Sequence, residues 1–165
     1  VYRRIHLWLD CGDILDAARF IAGALLLSHS VRRDSVAAVR VGGRWVIVYG
    51  DRVRHLRPDE ESLEGWIRAV MRGRGGKLGA LVSDKPPEAI GEVICVGSGE
   101  LELLDLAWKL RATSYTIVYG GPWGCTLSVR KPRNLREYMV APLVNVILDN
   151  IEAAYERGEP PSSSI

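Results

Sequence analysis

The second half of the chain contains three short apolar runs that are continuous rather than alternating. They read ALVSD, EVICVG and YTIVYG, and the text ELELLDLAWKL between the last two has a helical pattern. Strands that are apolar at every position are covered on both faces, and intervening helices are typical of a sheet that is parallel in part. The sequence therefore predicts an α/β fold with a partly parallel sheet and helices on both faces.

The first half adds a strand, two helices and a hairpin to this prediction. Apolar and polar residues alternate over residues 3–9, which predicts a first strand. Apolar residues then recur at three- and four-residue steps from about residue 13 to 28, which indicates an amphipathic helix. Two β-rich runs joined by Gly42-Gly43 predict a hairpin, and Pro58 opens a second helix.

The length of 165 residues fits one domain with a substantial core. The closing segment from about residue 134 to 156 is helical in pattern, and GEPPSSSI follows it. We expect a single domain over residues 1–158 and a disordered tail over residues 159–165.

Composition favours a cytoplasmic protein with no membrane contact. The alternating N-terminus lacks the apolar core of a signal peptide, and no run approaches the length of a membrane span. The absence of glutamine and the excess of arginine over lysine are typical of a thermophile.

The cysteines and histidines predict no metal site. Cys11, Cys95 and Cys125 have no metal-ligand spacing, and the three histidines are equally scattered. We expect neither a disulfide framework nor a zinc site.

Positive charge is unevenly distributed although the net charge is only +2. Residues 32–77 contain eleven Lys and Arg against six Asp and Glu, and a second basic cluster is formed by Arg130, Lys131, Arg133 and Arg136. Arginine binds phosphate through a planar fork, so these clusters fit an RNA partner. A thermophile's charged surface is an equally good explanation from composition alone.

The stretch SHSVRRD at the end of the first predicted helix has two interpretations. Its arginines either satisfy the last carbonyls of the helix, with Asp34 pairing one of them, or they clamp an RNA phosphate. We expect Arg32-Arg33-Asp34 to belong to an RNA-facing edge.

Two further motifs also have alternative interpretations. YGGPWG at 119–124 follows a buried strand and is either a ligand-binding loop or a tight hairpin turn, and its Trp123 is placed to stack on a base or an adenine. Asp13 and Asp16 either complement the dipole of the first helix or provide a general base in a cleft.

The stretch from Gly12 to Ile67 resembles the archaeal tRNA pseudouridine N1-methyltransferases of the SPOUT (α/β-knot) superfamily, and more weakly the related ribosome-biogenesis enzymes. The family shows Gly-Arg-Leu-Asp, a helix ending Phe-Leu-Ser-His, then Ile-Arg-Arg-Asp and later Ser-Pro-Asp-Glu-Arg. Here the text reads GDILDAARFIAGALLLSHSVRRD and then RPDEESLEGWI.

This resemblance implies a SPOUT-like sheet with a C-terminal trefoil knot, a homodimer, and S-adenosylmethionine as cofactor for methylation of N1 of pseudouridine in tRNA or rRNA. It implies that two loops, at 119–124 and 139–143, and a third loop between them hold the cofactor. The implied cofactor-binding residues are Tyr119, Gly120, Gly121, Trp123, Gly124, Val140, Ala141, Pro142 and Leu143. The implied RNA-binding residues are Arg19, His29, Arg32 and Arg33.

The motifs also depart from the family pattern. The family aspartate that removes the N1 proton aligns with Leu15, and a one-residue slip aligns it with Asp16 and puts Asp13 in place of the arginine; we take Asp16 and Asp13 as the catalytic candidates. Gly-Gly-Pro-Trp-Gly replaces Gly-Asp-His, and Val-Ala-Pro replaces Leu-Ser-Pro. A non-catalytic RNA- or ribosome-binding protein of the same fold is therefore the main alternative, and an unrelated metabolic α/β enzyme is a third.

Overall fold

The computed structural model describes residues 2–110 and 113–159, which form a seven-stranded sheet with helices. The strands are β1 (Arg4–Cys11), β2 (Ser35–Val41), β3 (Arg44–Tyr49), β4 (Ala80–Ser83), β5 (Glu92–Gly97), β6 (Tyr115–Tyr119) and β7 (Leu127–Arg130). The helices are α1 (Ile14–Leu25), α2 (Glu60–Ala69), α3 (Gly75–Leu78), α4 (Leu106–Lys109) and α5 (Glu137–Glu156). The tail expected at 159–165 lies, apart from Glu159, outside the described residues.

The sheet is mostly parallel, as predicted, and its strand order is β4-β3-β2-β1-β6-β5-β7. β1 pairs in parallel with β2 and β6, and β5 pairs in parallel with β6 and β7. β3 pairs antiparallel with β2 and β4. The predicted hairpin at Gly42-Gly43 is confirmed, because both glycines have the positive φ that a two-residue turn between antiparallel strands requires.

Nearby residues explain why α1 begins and ends where it does. The Asp13 side chain caps its first turn by accepting a hydrogen bond from the backbone N–H of Leu15 at 2.9 Å. The helix ends at Leu25 because Leu26 is extended and forms a β-bridge with Val31. The turn that contains His29 therefore doubles back on itself, and the backbone N–H of Arg32 donates to the Leu25 carbonyl, the last of α1, at 2.7 Å.

The helices contribute their buried side chains to one face of the sheet. This larger core contains residues from all five helices and alternate strand residues such as Ile117. The cluster on the other face consists of strand residues such as Leu7 and Val118 with partly buried Ile90 and Trp123, and among the described residues it includes no helical one. The prediction of helices on both faces is therefore wrong. The connection from β4 to β5 carries Pro86-Pro87, which disfavours a helix there.

β7 is the edge strand of the sheet, yet its backbone is contacted on both sides. It pairs with β5, and the backbone N–H of Arg130 donates to the Leu101 carbonyl at 2.6 Å while that of Lys131 donates to the Gly97 carbonyl at 2.8 Å. A Cβ on Gly99 would lie 2.3 Å from the carbonyl carbon of Ser128. The interpretation of residues 119–124 as a hairpin turn is wrong, because β5 separates β6 from β7.

α5 follows β7 and packs against α1. Gly23 is the point of closest approach, since a Cβ there would be 3.0 Å from both the Pro142 ring and the Tyr138 carbonyl oxygen. That carbonyl lacks its usual helical partner, because Pro142 has no backbone N–H to donate. The glycine thus allows two helix backbones to come close at the proline.

Candidate functional site

A cavity of about 440 Å³ lies at the carboxyl ends of β5 and β6. Three segments of the chain enclose it: the end of β5 with the residues after it, the loop after β6, and the segment between β7 and α5. Its lining residues are Cys95, Val96, Gly97, Ser98, Gly99, Gly120, Gly121, Pro122, Cys125, Ser128, Lys131 and Glu137. The carboxyl edge of a parallel sheet is the usual position for a ligand site, and the volume suits a small organic ligand.

Glycines bring bare backbone to the wall of this cavity. Gly120 and Gly121 have φ values of 89° and 153°, and a Cβ on Gly120 would be only 3.4 Å from the Trp8 ring. Gly97 has ordinary backbone angles, and a Cβ there would meet no atom within 4 Å. The Gly97 position therefore faces open space, which a larger side chain would occupy.

The loop after β6 meets the prediction only in part. Gly120 and Gly121 line the cavity. Tyr119 is buried in the core, where its hydroxyl lies 2.9 Å from His6 Nδ1. Trp123 packs against the cluster on the helix-free face, and Gly124 is exposed. These last three residues are not among those that line the cavity.

The prediction of a second cofactor-binding loop at 139–143 is wrong. Val140, Ala141, Pro142 and Leu143 lie within α5 rather than in a loop, and the first two are fully buried. The segment that leads into the last helix is instead 131–136, and it begins with Lys131 at the cavity wall. The resemblance of Val-Ala-Pro to the family's Leu-Ser-Pro implied a loop, but Pro142 lies in the second turn of α5, where it removes one helical hydrogen bond without ending the helix.

The expectation that the cysteines form no disulfide is also wrong, because a disulfide joins Cys95 to Cys125. It links β5 to the loop after β6 across 30 residues, and both cysteines line the cavity. Cys11 is free and buried, and burial raises the pKa of its thiol to about 11. No sequence spacing indicated this pair, because the parallel sheet alone brings the two segments together.

A second cavity of about 490 Å³ adjoins the first. It is lined by Trp8, Gly12, Asp13, Asp16, Lys131, Arg136 and Glu137. Lys131 and Glu137 line both cavities, and their Nζ and Oε1 atoms are 3.2 Å apart. The two cavities therefore meet at one ion pair.

The two catalytic candidates, Asp13 and Asp16, both face the second cavity but differ in their surroundings. Asp16 is buried, and its two oxygens accept hydrogen bonds from Arg19 at 2.6 Å and Arg136 at 3.1 Å. Asp13 is exposed, and one of its oxygens caps α1. Asp16 is thus held in place by two guanidinium groups, while Asp13 is exposed and has no ion pair within the described residues.

The predicted RNA-binding residues are not brought together as one surface. Arg19 pairs with Asp16 and with Glu60 on α2. Arg32 forms two hydrogen bonds of 2.9 Å to Asp149, and only 13 % of its side chain is exposed. His29 and Arg33 are exposed, and neither has a hydrogen bond or ion pair within the described residues. The guanidinium group of Arg32 is therefore bound to Asp149 within the protein. Of the two arginines predicted to bind an RNA phosphate there, only Arg33 is exposed.

A buried polar network beneath α5 was missed by sequence reasoning. Asn145 Oδ1 accepts from Arg4 at 3.1 Å and lies 3.0 Å from His6 Nε2, while its amide nitrogen donates to the Ala24 carbonyl at 2.9 Å. Burial lowers the pKa of His6 to about 3, so the ring is neutral. The alternation of His6 with apolar residues was the available signal, but an exposed face would give the same pattern.

No cluster of three potential metal-ligating side chains occurs within residues 2–110 and 113–159. None of the helices described there has the length and apolar character needed to cross a bilayer. No family model matches the sequence, and no curated protein matches it. Function must therefore be inferred from the fold, the two cavities and the charges around them.

Proposed function

We propose that this protein is a SPOUT-class methyltransferase that uses S-adenosylmethionine to methylate N1 of a pseudouridine in tRNA or rRNA. The observation that carries the proposal is the pair of adjoining cavities. One is walled by glycine backbone and the other by carboxylates, and they meet at Lys131 and Glu137. Transfer of a group between two bound molecules requires such an arrangement, with donor and acceptor side by side.

The contacts around β7 support a C-terminal knot. The chain at Val129–Arg130 is bracketed by β5 on one side and by Leu101 on the other, and both belong to the stretch that leads from β5 to β6. The chain therefore runs between two parts of one loop before α5 begins. Passage of the last helix through a loop of the preceding chain is the defining feature that the resemblance implies.

The residues around the first cavity fit an adenosyl ligand. Three chain segments line it, and Gly97, Gly120 and Gly121 leave parts of the wall without side chains. S-adenosylmethionine, when bound, supplies a methyl group that its sulfonium already activates. The protein's residues have only to hold the two reactants in line and to accept one proton.

Asp13 and Asp16 are the groups that would accept the proton from N1 of the base in the second cavity. Asp13 has an exposed carboxylate, and Asp16 is oriented by Arg19 and Arg136. We assign proton acceptance to this pair, with the two arginines fixing its position. The basic segment 130–136 borders both cavities, so its exposed Arg133 is placed to bind an RNA phosphate there.

An apolar stripe on α5 supports the expected homodimer. Met139, Leu143 and Val146 lie at i, i+4 and i+7 and are 42 %, 37 % and 53 % exposed. Residues at this spacing share one helical face, and an exposed apolar face marks a contact surface. The stripe begins two residues from Glu137, so a partner bound there would lie close to both cavities.

The test is transfer of labelled methyl groups to matched RNA hairpins that contain uridine or pseudouridine at one position. We expect label in the pseudouridine hairpin alone. Asp13→Asn and Asp16→Asn should each lower the rate by about 10²- to 10⁴-fold, as loss of a proton acceptor does. Asp84→Asn, an exposed aspartate outside both cavities, is the matched control and should leave the rate unchanged. Absence of transfer to either hairpin would contradict the proposal.

The second candidate function is a non-catalytic RNA- or ribosome-binding protein of the same fold. The two guanidinium contacts of Asp16 favour it, because both carboxylate oxygens already accept hydrogen bonds from Arg19 and Arg136. Equilibrium dialysis with S-adenosylmethionine separates the two functions. A protein that fails to bind the cofactor but binds RNA with strong salt dependence would be the binding module.

A further inference from the structure

The ion pair at the boundary of the two cavities has an unusual setting. Lys131 follows β7 directly, and Glu137 is the first residue of α5, so both backbone positions belong to regular structure or border it. Lys131 is further fixed by its backbone hydrogen bond to the Gly97 carbonyl. Both side chains are only partly exposed, and both line the first cavity.

The charged side chains that line the first cavity indicate which kind of ligand group would bind there. Among the lining residues in the described part of the chain, Lys131 and Glu137 are the only ones with charged side chains. A ligand with a net negative end would meet the carboxylate of Glu137 unpaired, and a purely cationic one would meet the ammonium of Lys131. A group that carries one charge of each sign leaves neither unpaired.

We propose that the Lys131–Glu137 pair is a receptor for the zwitterionic amino-acid end of the ligand. Lys131 binds the α-carboxylate and Glu137 binds the α-ammonium, and their 3.2 Å contact opens to admit the two groups. The exchange replaces one ion pair by two charge-assisted pairs, so no charge loses its partner. This inference rests on the proposed function for the nature of the ligand's other end, an adenosyl group among the glycines.

The position of the pair explains why it suits this task. The adenosyl part occupies the glycine-walled cavity, and the second cavity with Asp13 and Asp16 lies on the other side of the pair. An amino-acid end held at this boundary places the sulfur atom, which joins both ends of the ligand, next to the acceptor cavity. The pair thus selects ligands that carry an amino-acid end and orients the sulfur atom of the ligand toward the second cavity.

The experiment compares two neutral-sulfur ligands by calorimetry on the full chain. S-adenosylhomocysteine carries the amino-acid end, and 5′-methylthioadenosine lacks it. The wild-type protein should bind the first roughly 10- to 100-fold more tightly, as expected for hydrogen bonds to charged groups. Lys131→Met and Glu137→Gln should each reduce this ratio to about threefold or less and leave the affinity for 5′-methylthioadenosine unchanged.

Lys85→Met and Glu64→Gln are matched controls, because both residues are exposed and neither lines the cavity. The double variant Lys131→Glu with Glu137→Lys keeps one charge of each sign at the boundary, so it should fold as wild type does and retain more of the discrimination than either single variant. Equal wild-type affinities for the two ligands would overturn the inference while leaving the proposed function standing. Equal losses for both ligands in the variants would overturn it too, since they indicate a role in cavity shape. No binding of either ligand would instead refute the proposed function.

Discussion

The two ends of α5 are both rich in charge, but the protein uses them differently. From its middle onward, Asp149 binds Arg32 and Arg4, and Asn145 binds Arg4 and lies against His6. These groups pair with one another beneath the helix and hold α5 to the sheet and to the turn after α1, although Arg32 Nε has no hydrogen-bond partner within the described residues.

At the N-terminal end, the charges face cavities instead. Glu137 and Arg136 begin the helix, and with Lys131 they line the second cavity beside Asp16. Here ion pairs border open space, where a ligand can exchange for a partner. The same residue types are structural at one end and accessible at the other, and only the surrounding packing distinguishes them.

The comparison corrects the interpretation of the basic segments. The Arg32-Arg33 dipeptide and the 130–136 cluster look alike in sequence, but Arg32 is engaged by a carboxylate 117 residues away. In the cluster at 130–136, Arg130 and Arg136 also pair with carboxylates, whereas Arg133 is exposed and has no partner within the described residues. A phosphate-binding role therefore fits the second segment better than the first.

The largest expected effect concerns acid stability at the buried end. Burial lowers the pKa of His6 to about 3 in the folded protein, against about 6.5 in the unfolded chain. The unfolded chain therefore takes up the proton first, and stability that is complete above about pH 6.5 is lost as the pH falls toward 3. The loss amounts to about 1.4 kcal/mol per pH unit, about 4 to 5 kcal/mol in all.

Urea unfolding of wild type and His6→Gln between pH 4.5 and 6 measures this effect. The glutamine amide does not titrate, so the free energy of unfolding of the variant should depend on pH less steeply, by about 1.4 kcal/mol per pH unit. Parallel pH profiles for the two proteins would show that His6 is not held neutral.

The next effect concerns the disulfide at the cavity end. Reduction of Cys95–Cys125, or the Cys125→Ser variant, should lower the free energy of unfolding by about 3 to 4 kcal/mol for a loop of this length. Hydrogen exchange should become faster in residues 120–125, which the bond ties to β5, and stay unchanged in residues 144–152. Faster exchange in α5 instead would mean that the two ends are mechanically coupled.

Neighbouring arginines provide a matched pair for the third prediction. Arg32→Met should cost about 2 to 3 kcal/mol of stability, because it leaves Asp149 without a bidentate partner next to a buried pair. Arg33→Met should change stability by less than about 0.5 kcal/mol, since Arg33 is exposed and unpaired within the described residues. Chemical denaturation of both variants measures these changes. Equal losses in the free energy of unfolding would contradict the structural difference between the two positions.

The smallest effect concerns RNA affinity. Arg133→Met should weaken binding of the pseudouridine hairpin by about 1 kcal/mol and lower the slope of log K against log salt by about 0.7 to 0.9, the value for one phosphate contact. Folded Arg32→Met should bind as wild type does. Fluorescence-anisotropy titrations measure both affinities. Weaker binding by Arg32→Met alone would contradict the prediction and indicate that RNA binds at the turn after α1.

Local patterns predicted the elements of this fold well. The continuous apolar runs, the Gly42-Gly43 turn and the three- and four-residue steps of α1 all correspond to observed elements. These features depend on residues close together in the chain, where periodicity and turn chemistry act directly. The glycine loop at 120–121 was placed correctly at a cavity for the same reason.

Contacts between distant segments were not predictable in this way. The Cys95–Cys125 bond, the Arg32–Asp149 pair and the absence of helices from one face all depend on which strands become neighbours. Strand order is not encoded in any single motif. The loop at 139–143 was implied only by the resemblance and is wrong, whereas the apolar periodicity of the same region predicts the helix that is observed.

The central claim is that the glycine-walled cavity holds an adenosyl ligand, and equilibrium binding of S-adenosylmethionine to Gly97→Leu tests it most directly. The new side chain would occupy open space at the cavity wall without backbone strain, and Gly76→Leu, at an exposed glycine with equally open surroundings, is the control. We expect wild type and Gly76→Leu to bind the compound and Gly97→Leu to lose binding while unfolding at the same temperature as wild type. Identical binding by all three proteins, or none by wild type, would contradict the claim.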